Sequence, residues 1–221
     1  MISFEDVSFT YGQTPVLDGA SFEIGDTGLV LLTGATGSGK STLLRLCHLA
    51  LWPNRGQIRL WGEVPQSRDE RAAARLRRRM GVVPEESRLI ERLSVAENIG
   101  LPMTVAGGQR RERDLRELMA WIGLDGREDD QPSTLTAAET RRAALARALI
   151  VSPELLLLDE PLSGLDPGAA ADLLSLLLDL QTIGRPIVLV SRDPDLTDDL
   201  RHRAAARVLT LDGGRVLEEA P

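Results

Sequence analysis

The nine residues Gly34-Ala35-Thr36-Gly37-Ser38-Gly39-Lys40-Ser41-Thr42 constrain this chain more than any other stretch. Gly34, Gly39, Lys40 and Ser41 fill the pattern G-x-x-x-x-G-K-[ST]. The apolar run "GLVLLTG" (28–34) enters the pattern as a buried strand, and the Leu-spaced "KSTLLRLCHLAL" (40–51) leaves it as a helix that stops at Pro53. Glycines at such a junction let consecutive backbone N–H groups converge on phosphate oxygens, and the helix N-terminus adds partial positive charge. Lys40 is the only lysine among 26 basic residues; all the others are arginine. A compact ammonium reaches between β- and γ-phosphates, where a wide planar guanidinium fits poorly. The Ser41 hydroxyl would serve Mg²⁺. The expectation is a nucleotide phosphate cradle over residues 34–42.

A second stretch, "ELLLLDE" (154–160), reads as a buried strand delivering two acids at its carboxyl end, where ligands of open α/β sheets sit. Asp159 is placed to orient a Mg²⁺ shell, and Glu160 to polarise an attacking water.

Around these motifs strands and helices alternate. Strands are expected at 2–9, 21–24, 57–62, 81–83, 186–191 and in a hairpin over 207–218. Helices are expected at 68–80, 137–150 and 168–181, with residues 94–122 helical but interrupted at "LPMTVAGGQ" (101–109). The helix at 68–80 has little apolar stripe and is expected to be solvated. The alternation points to a mainly parallel α/β sheet with a helical insert near 90–150, within one domain of 221 residues.

The bulk numbers narrow the partners. A net charge of −7 argues against a general nucleic-acid surface, and the longest apolar runs are far too short to cross a bilayer. The segment "MISFEDVSF" carries acids where a secretion signal would carry a basic start. Cys47, the single cysteine, reads as a small buried hydrophobe in a reducing cytoplasm. Work at a membrane would then need a second subunit to hold the chain there. Trp52, Trp61 and Trp121 read as packing residues.

The segment "LLLLDEPLSGLDP" (155–167) narrows the class further, because it resembles the Walker B and D-loop of ABC-type ATPases. Tyr11 matches the aromatic on which that family stacks adenine, and the segment ending in "AETRRAALARALIVSP" falls where the family has its signature helix. The resemblance covers essentially the whole chain. It implies a P-loop NTPase (RecA-like) α/β core with an N-terminal antiparallel β region and a helical subdomain near 88–150. It also implies ATP and Mg²⁺ as ligands, and a cytoplasmic location on the inner face of the membrane through a partner. By resemblance the residues holding ATP are Tyr11, Gly34, Ala35, Thr36, Gly37, Ser38, Gly39, Lys40, Ser41, Thr42, Thr136 and Asp166. Those serving Mg²⁺ are Ser41, Glu85 and Asp159; Glu160 is the general base and Arg192 a γ-phosphate sensor. Within the superfamily the chain is most similar to the cell-division FtsE family, on "LTGATGSGKSTLLRLCHLALWPNRGQIRLWG" and "LRRRMGVVPEESRLIERLSVAENIGLPMTVAGG". That likeness implies a homo- or heterodimer under an FtsX-type membrane protein, with residues 88–103 lining the groove for the partner and ATP turnover controlling cell-wall hydrolases. The rival expectations are the ATPase of a lipoprotein or small-molecule exporter, and a non-hydrolysing regulatory subunit.

Three positions depart from the family pattern. The signature LSGGQ appears as Leu135-Thr136-Ala137-Ala138-Glu139, where Thr136 keeps a hydroxyl but two methyl groups replace glycine and are expected to resist positive φ. Glu85 stands at the family's Gln, and Arg192 at its switch His. Loss of one well-placed transition-state donor slows an enzyme by about 10²–10³-fold. Slow turnover, or action chiefly as an ATP-dependent clamp, is therefore expected.

Overall fold

The computed structural model describes residues 1–67, 69–105 and 111–218. Strands β1 (Ile2–Tyr11) and β2 (Thr14–Ile24) form a hairpin, turned by Gly12 and Gln13. After it come β3 (Leu29–Thr33), α1 (Lys40–Cys47), β4 (Arg55–Leu60), α2 (Glu70–Arg77) and β5 (Met80–Val83). A helical stretch follows: α3 (Val95–Val105), α4 (Glu112–Trp121), a 3-10 turn at Pro132–Thr134 and α5 (Ala137–Leu149). The chain returns through β6 (Leu155–Asp159), α6 (Pro167–Thr182), β7 (Ile187–Val190) and α7 (Pro194–Ala204), and closes with β8 (Arg207–Asp212) and β9 (Arg215–Glu218).

Two sheets result. The smaller is antiparallel in the order β2-β1-β4; the larger runs β5-β6-β7-β3-β8-β9, parallel except for the β8–β9 hairpin. Strand periodicity sorts the central leucines to opposite faces. Leu156 and Leu158 of β6 pack in one apolar cluster with α3, α5 and α6; Leu155 and Leu157 pack in the other with α1 and the small sheet. All four are essentially fully buried, each contributing about 1.5–3 kcal/mol of apolar burial. That burial on both faces is why β6 reads as an unbroken leucine run rather than an alternation.

Several expectations change on the structure. Helix α2 is not wholly solvated, since Ala73 and Leu76 are fully buried while its arginines pair outward, as in Arg77–Glu70. Leu101–Val105, read as an interruption, continue α3 with Pro102 inside it; residues 106–109 of that reading lie outside the described residues. Ala137 and Ala138 occupy the first turn of α5 at ordinary helical φ, so the expected backbone strain there does not arise. Cys47 is buried, and burial pushes its thiol up, as expected for an inert side chain. Among the described residues, no helix is long and apolar enough to cross a membrane.

Candidate functional site

Sheet order builds the site. Four adjacent parallel strands, β5, β6, β7 and β3, end on the same edge of the large sheet. Just beyond their carboxyl ends the chain places Glu85 after β5, Asp159 and Glu160 at β6, Arg192 after β7 and the glycine loop after β3. A cavity of about 360 Å³ opens there, lined by Tyr11, Val16, Thr36, Gly37, Gly39, Lys40, Ser41, Thr42, Glu85, Glu160 and Arg192.

The loop is shaped by packing at two of its glycines and by space at the third. Gly34 and Gly39 have φ of 136° and 105°. A methyl at Gly34 would overlap the Leu211 carbonyl oxygen of β8, and one at Gly39 would come 2.6 Å from Val16 Cγ1 of β2. Gly37, at φ 79°, has nothing within 4 Å of where a Cβ would stand. The loop thus presents open backbone on its cavity side, the cradle that phosphate oxygens require. The Ser38 hydroxyl, buried beside it, has no hydrogen-bond partner among the described residues.

Lys40 is only 6% exposed. Its Nζ donates to the carbonyl oxygens of Gly34 at 2.7 Å and Ala35 at 2.9 Å. Burial lowers the ammonium from its ordinary value, opposed by the nearby Glu160 charge. The Ser41 hydroxyl donates to Asp159 Oδ1 at 3.2 Å, bringing the first turn of α1 against the end of β6. Burial raises the Asp159 carboxyl, and the Ser41 hydrogen bond opposes the shift. A hydroxyl and a carboxylate at this spacing are hard oxygen donors. Too few to cage a cation alone, they fit Mg²⁺, which keeps waters and substrate phosphate oxygens in its shell.

Glu160 adopts a left-handed φ of 48°, its N–H donating to the Val190 carbonyl oxygen at 3.1 Å. Its side chain, 10% exposed, accepts from Arg192 Nε at 2.9 Å. Burial pushes its carboxyl above the ordinary range, with the charges of Arg192 and Lys40 opposing. Arg192 Nη2 lies 3.7 Å from Glu85 Oε1, so one guanidinium stands between two carboxylates. The backbone carbonyl of Glu85 accepts from Arg141 of α5, which also reaches the Ser163 carbonyl oxygen at 3.5 Å.

Tyr11 closes the far side. Its ring meets Phe9 edge-on at 4.9 Å and is 45% exposed; its hydroxyl stands 3.5 Å from both Thr42 Oγ1 and Arg45 Nη1. Two expected residues, Thr136 and Asp166, are set away from this cavity, and Gly34, Ala35, Ser38 and Asp159 are chain neighbours of its lining without being part of it. Thr136 caps α5 in a capping box, accepting from the Glu139 N–H at 3.2 Å while Glu139 accepts from the Thr136 N–H at 2.8 Å. Asp166 caps α6, accepting from the Ala169 N–H at 3.0 Å. Ala35 is exposed at the loop's outer turn, where its carbonyl oxygen accepts from the Ser38 N–H. Sequence reasoning missed Val16, Arg45 and Arg141. Arg45 carried a signal, falling one helical turn after Ser41 on α1; the other two carried none.

The comparisons with known proteins agree with this geometry. Residues 17–163 match the family described as ABC transporter. The methionine import ATP-binding protein MetN of Brucella abortus is 34% identical over all of this chain, which spans 60% of that relative's length. The macrolide export ATP-binding/permease protein MacB of Chlorobaculum tepidum is 35% identical over 99% of the chain, which spans 34% of that protein. Among solved structures, the dimeric post-hydrolysis ATP-binding cassette MJ0796 bound to ADP and Pi superposes with a TM-score of 0.87. It is 25% identical, over 99% of this chain and 98% of that one. A family match across most of the chain, on a fold shared end to end with an ATP-binding cassette, means that this chain belongs to the ABC transporter family.

Proposed function

We propose that this chain binds ATP with Mg²⁺ in the cavity above β3, β6 and β7 and hydrolyses it slowly, as the nucleotide-binding subunit of a membrane-bound complex. The observation that carries the reading is a single cavity lined by Lys40 and the open glycine loop together with Glu160 and Arg192. Backbone amides of residues 36–42 and the Lys40 ammonium would take the phosphate oxygens, and Tyr11 the base. Ser41 and Asp159 would hold Mg²⁺, which when bound neutralises charge developing on the phosphoryl oxygens. Glu160 would accept a proton from the attacking water as its oxygen bonds to the γ-phosphorus and the bridging oxygen leaves with ADP. Thr136 and Asp166, away from this cavity, would act at the cavity of a second copy, in keeping with the dimeric form of MJ0796.

Slow turnover follows from the ion pair. A base held by Arg192 at 2.9 Å has a cation to lose before it can take a proton. Glu160→Gln should reduce steady-state phosphate release by at least about 10²-fold, while rates typical of fast ATPases in the wild type would contradict the slow form of the proposal.

For the complex itself we propose the FtsE-like role, paired with an FtsX-type membrane protein in cell division. Its support is the similarity of residues 32–62 and 76–108 to that family. Transport is the second reading, favoured by the 34% and 35% identity to an import and an export ATP-binding protein. Affinity purification from native membranes separates them by the chemistry of what comes with the chain. A permease with a substrate cavity favours transport; a four-helix protein with a large extracytoplasmic domain favours division.

A further inference from the structure

Resting on the nucleotide-binding reading, we propose that Arg141 is a positioning residue. From α5 it ties the loop after β5 to the loop after β6, and so fixes where Glu85 and Glu160 stand relative to each other. The guanidinium reaches the two loops from separate nitrogens: Nη1 donates to the Glu85 carbonyl oxygen and Nη2 to the Ser163 carbonyl oxygen at 3.5 Å. Both loops bear on the cavity. Glu85 and Glu160 are among its lining residues, and the Ser163 N–H donates to the Glu160 carbonyl oxygen at 3.2 Å, closing the turn that Glu160 begins. The arginine has a firm mount. Ala143, Ala144, Leu145 and Ala146 of α5 are buried in one apolar cluster with Val83 of β5 and with Leu156 and Leu158 of β6. The helix therefore sits on the two strands whose ends its arginine spans.

Glu85 needs such a tie. Its side chain is half-exposed, and among the described residues its one ion pair, to Arg192 at 3.7 Å, is too long and too solvated to orient it. The loop's backbone is held from α5 instead. The Ser87 and Arg88 carbonyl oxygens accept from Arg147 at 2.6 and 2.9 Å, as that of Glu85 does from Arg141. Arg147 holds this loop alone; among the described side chains of α5, Arg141 is the one that also reaches the loop after β6. Arg141 is half-buried, and burial lowers its guanidinium from the ordinary value, the Glu85 charge opposing. A cation drawn partly out of water makes stronger hydrogen bonds to carbonyl oxygens than a solvated one. The two nitrogens of its planar fork stand apart and serve carbonyls on different loops; a lysine would offer one nitrogen on a shorter stem.

The test has one arm with turnover and one without nucleotide. Arg141→Lys and Arg141→Gln are made alone and on a Glu85→Ala background, and ATP hydrolysis is followed by phosphate release. Each Arg141 change alone should lower kcat roughly 10- to 100-fold. KM for ATP should move less than about 3-fold, since Lys40 and the glycine loop are untouched. On Glu85→Ala the same changes should cost at least about 3-fold less in kcat. In the nucleotide-free protein, hydrogen exchange read by mass spectrometry should quicken at least about 3-fold over both 85–88 and 161–165 in either variant. Wild-type kcat in Arg141→Lys, equal losses with and without Glu85, or exchange that quickens in one loop or neither would overturn the tie. Should Arg141→Gln not melt cooperatively, Arg141→Lys carries both arms. A wild type that binds no ATP would overturn the cavity's assignment, and with it the role of Arg141 in turnover; the exchange arm, which uses no nucleotide, tells that failure from loss of the tie.

Discussion

Gly39 and Gly37 separate what the loop does for folding from what it does for phosphate. Gly39 combines φ 105° with Val16 Cγ1 only 2.6 Å from a would-be methyl. Gly39→Ala should thus cost about 2–3 kcal/mol in urea unfolding, from strain plus overlap. Gly37→Ala meets no atom and should cost only about 1 kcal/mol for its φ of 79°, while still weakening ATP binding measurably, because its methyl enters the cradle. Equal stability losses for the two would contradict this division. The loop and the Asp159-Glu160 pair were legible in the sequence because each is contiguous, and local spacing alone fixes its geometry. The Glu85–Arg192–Glu160 contact was not, because it depends on β5, β6 and β7 lying side by side, which no local pattern states. The same holds for Arg141, whose partner at Glu85 lies on the far side of the helical stretch.

At the scale of elements, the entry of β5 is tied to that of β6. Arg79 donates to Glu154 through Nε at 2.7 Å and Nη2 at 2.6 Å, its guanidinium lies 4.0 Å over the Trp61 ring, and Glu154 N–H donates to the Arg79 carbonyl oxygen at 2.8 Å. The hydrogen bonds from Arg79 hold the Glu154 carboxyl below its ordinary range. A depressed carboxylate stabilises the fold above its unfolded pKa and loses that contribution as pH falls through the folded one. Glu154→Gln should therefore cost up to about 1 kcal/mol at pH 7, the modest value of a solvent-screened pair, and nothing near pH 2. Urea midpoints at both pH values check it; a difference that persists in acid would contradict it. Helix α7 was not among the elements expected from the sequence. Its start is signalled by Asp193 as cap and Pro194 after it, but its end is Ala205 at φ 47°, with no glycine to mark the stop. Pro102 misled in the other direction: α3 runs through it, losing one backbone hydrogen bond.

For the whole molecule, the surface at the start of α5 matters most. Thr136 and Ala137 are exposed, and on the reading proposed above the methyls of Ala137 and Ala138 would face a second copy. Replacing both by glycine, at a helix-propensity cost of about 1 kcal/mol each, should raise the ATP-dependent dimer fraction in sedimentation velocity. An unchanged fraction would show that the methyls do not limit closure. The architecture was open to sequence reading because strand, loop and helix alternate around two motifs; the division or transport role rests on partners that lie beyond this chain. All of it depends on a triphosphate resting against the loop that follows β3. Calorimetric titration of Mg-ATP into wild type and Lys40→Ala tests that directly. Saturable binding is expected in the wild type, weakened at least about 30-fold by loss of the charge-assisted contacts of Lys40 in a variant that still melts cooperatively. Equal binding by the two proteins, or no saturation of the wild type at millimolar ATP, would contradict it.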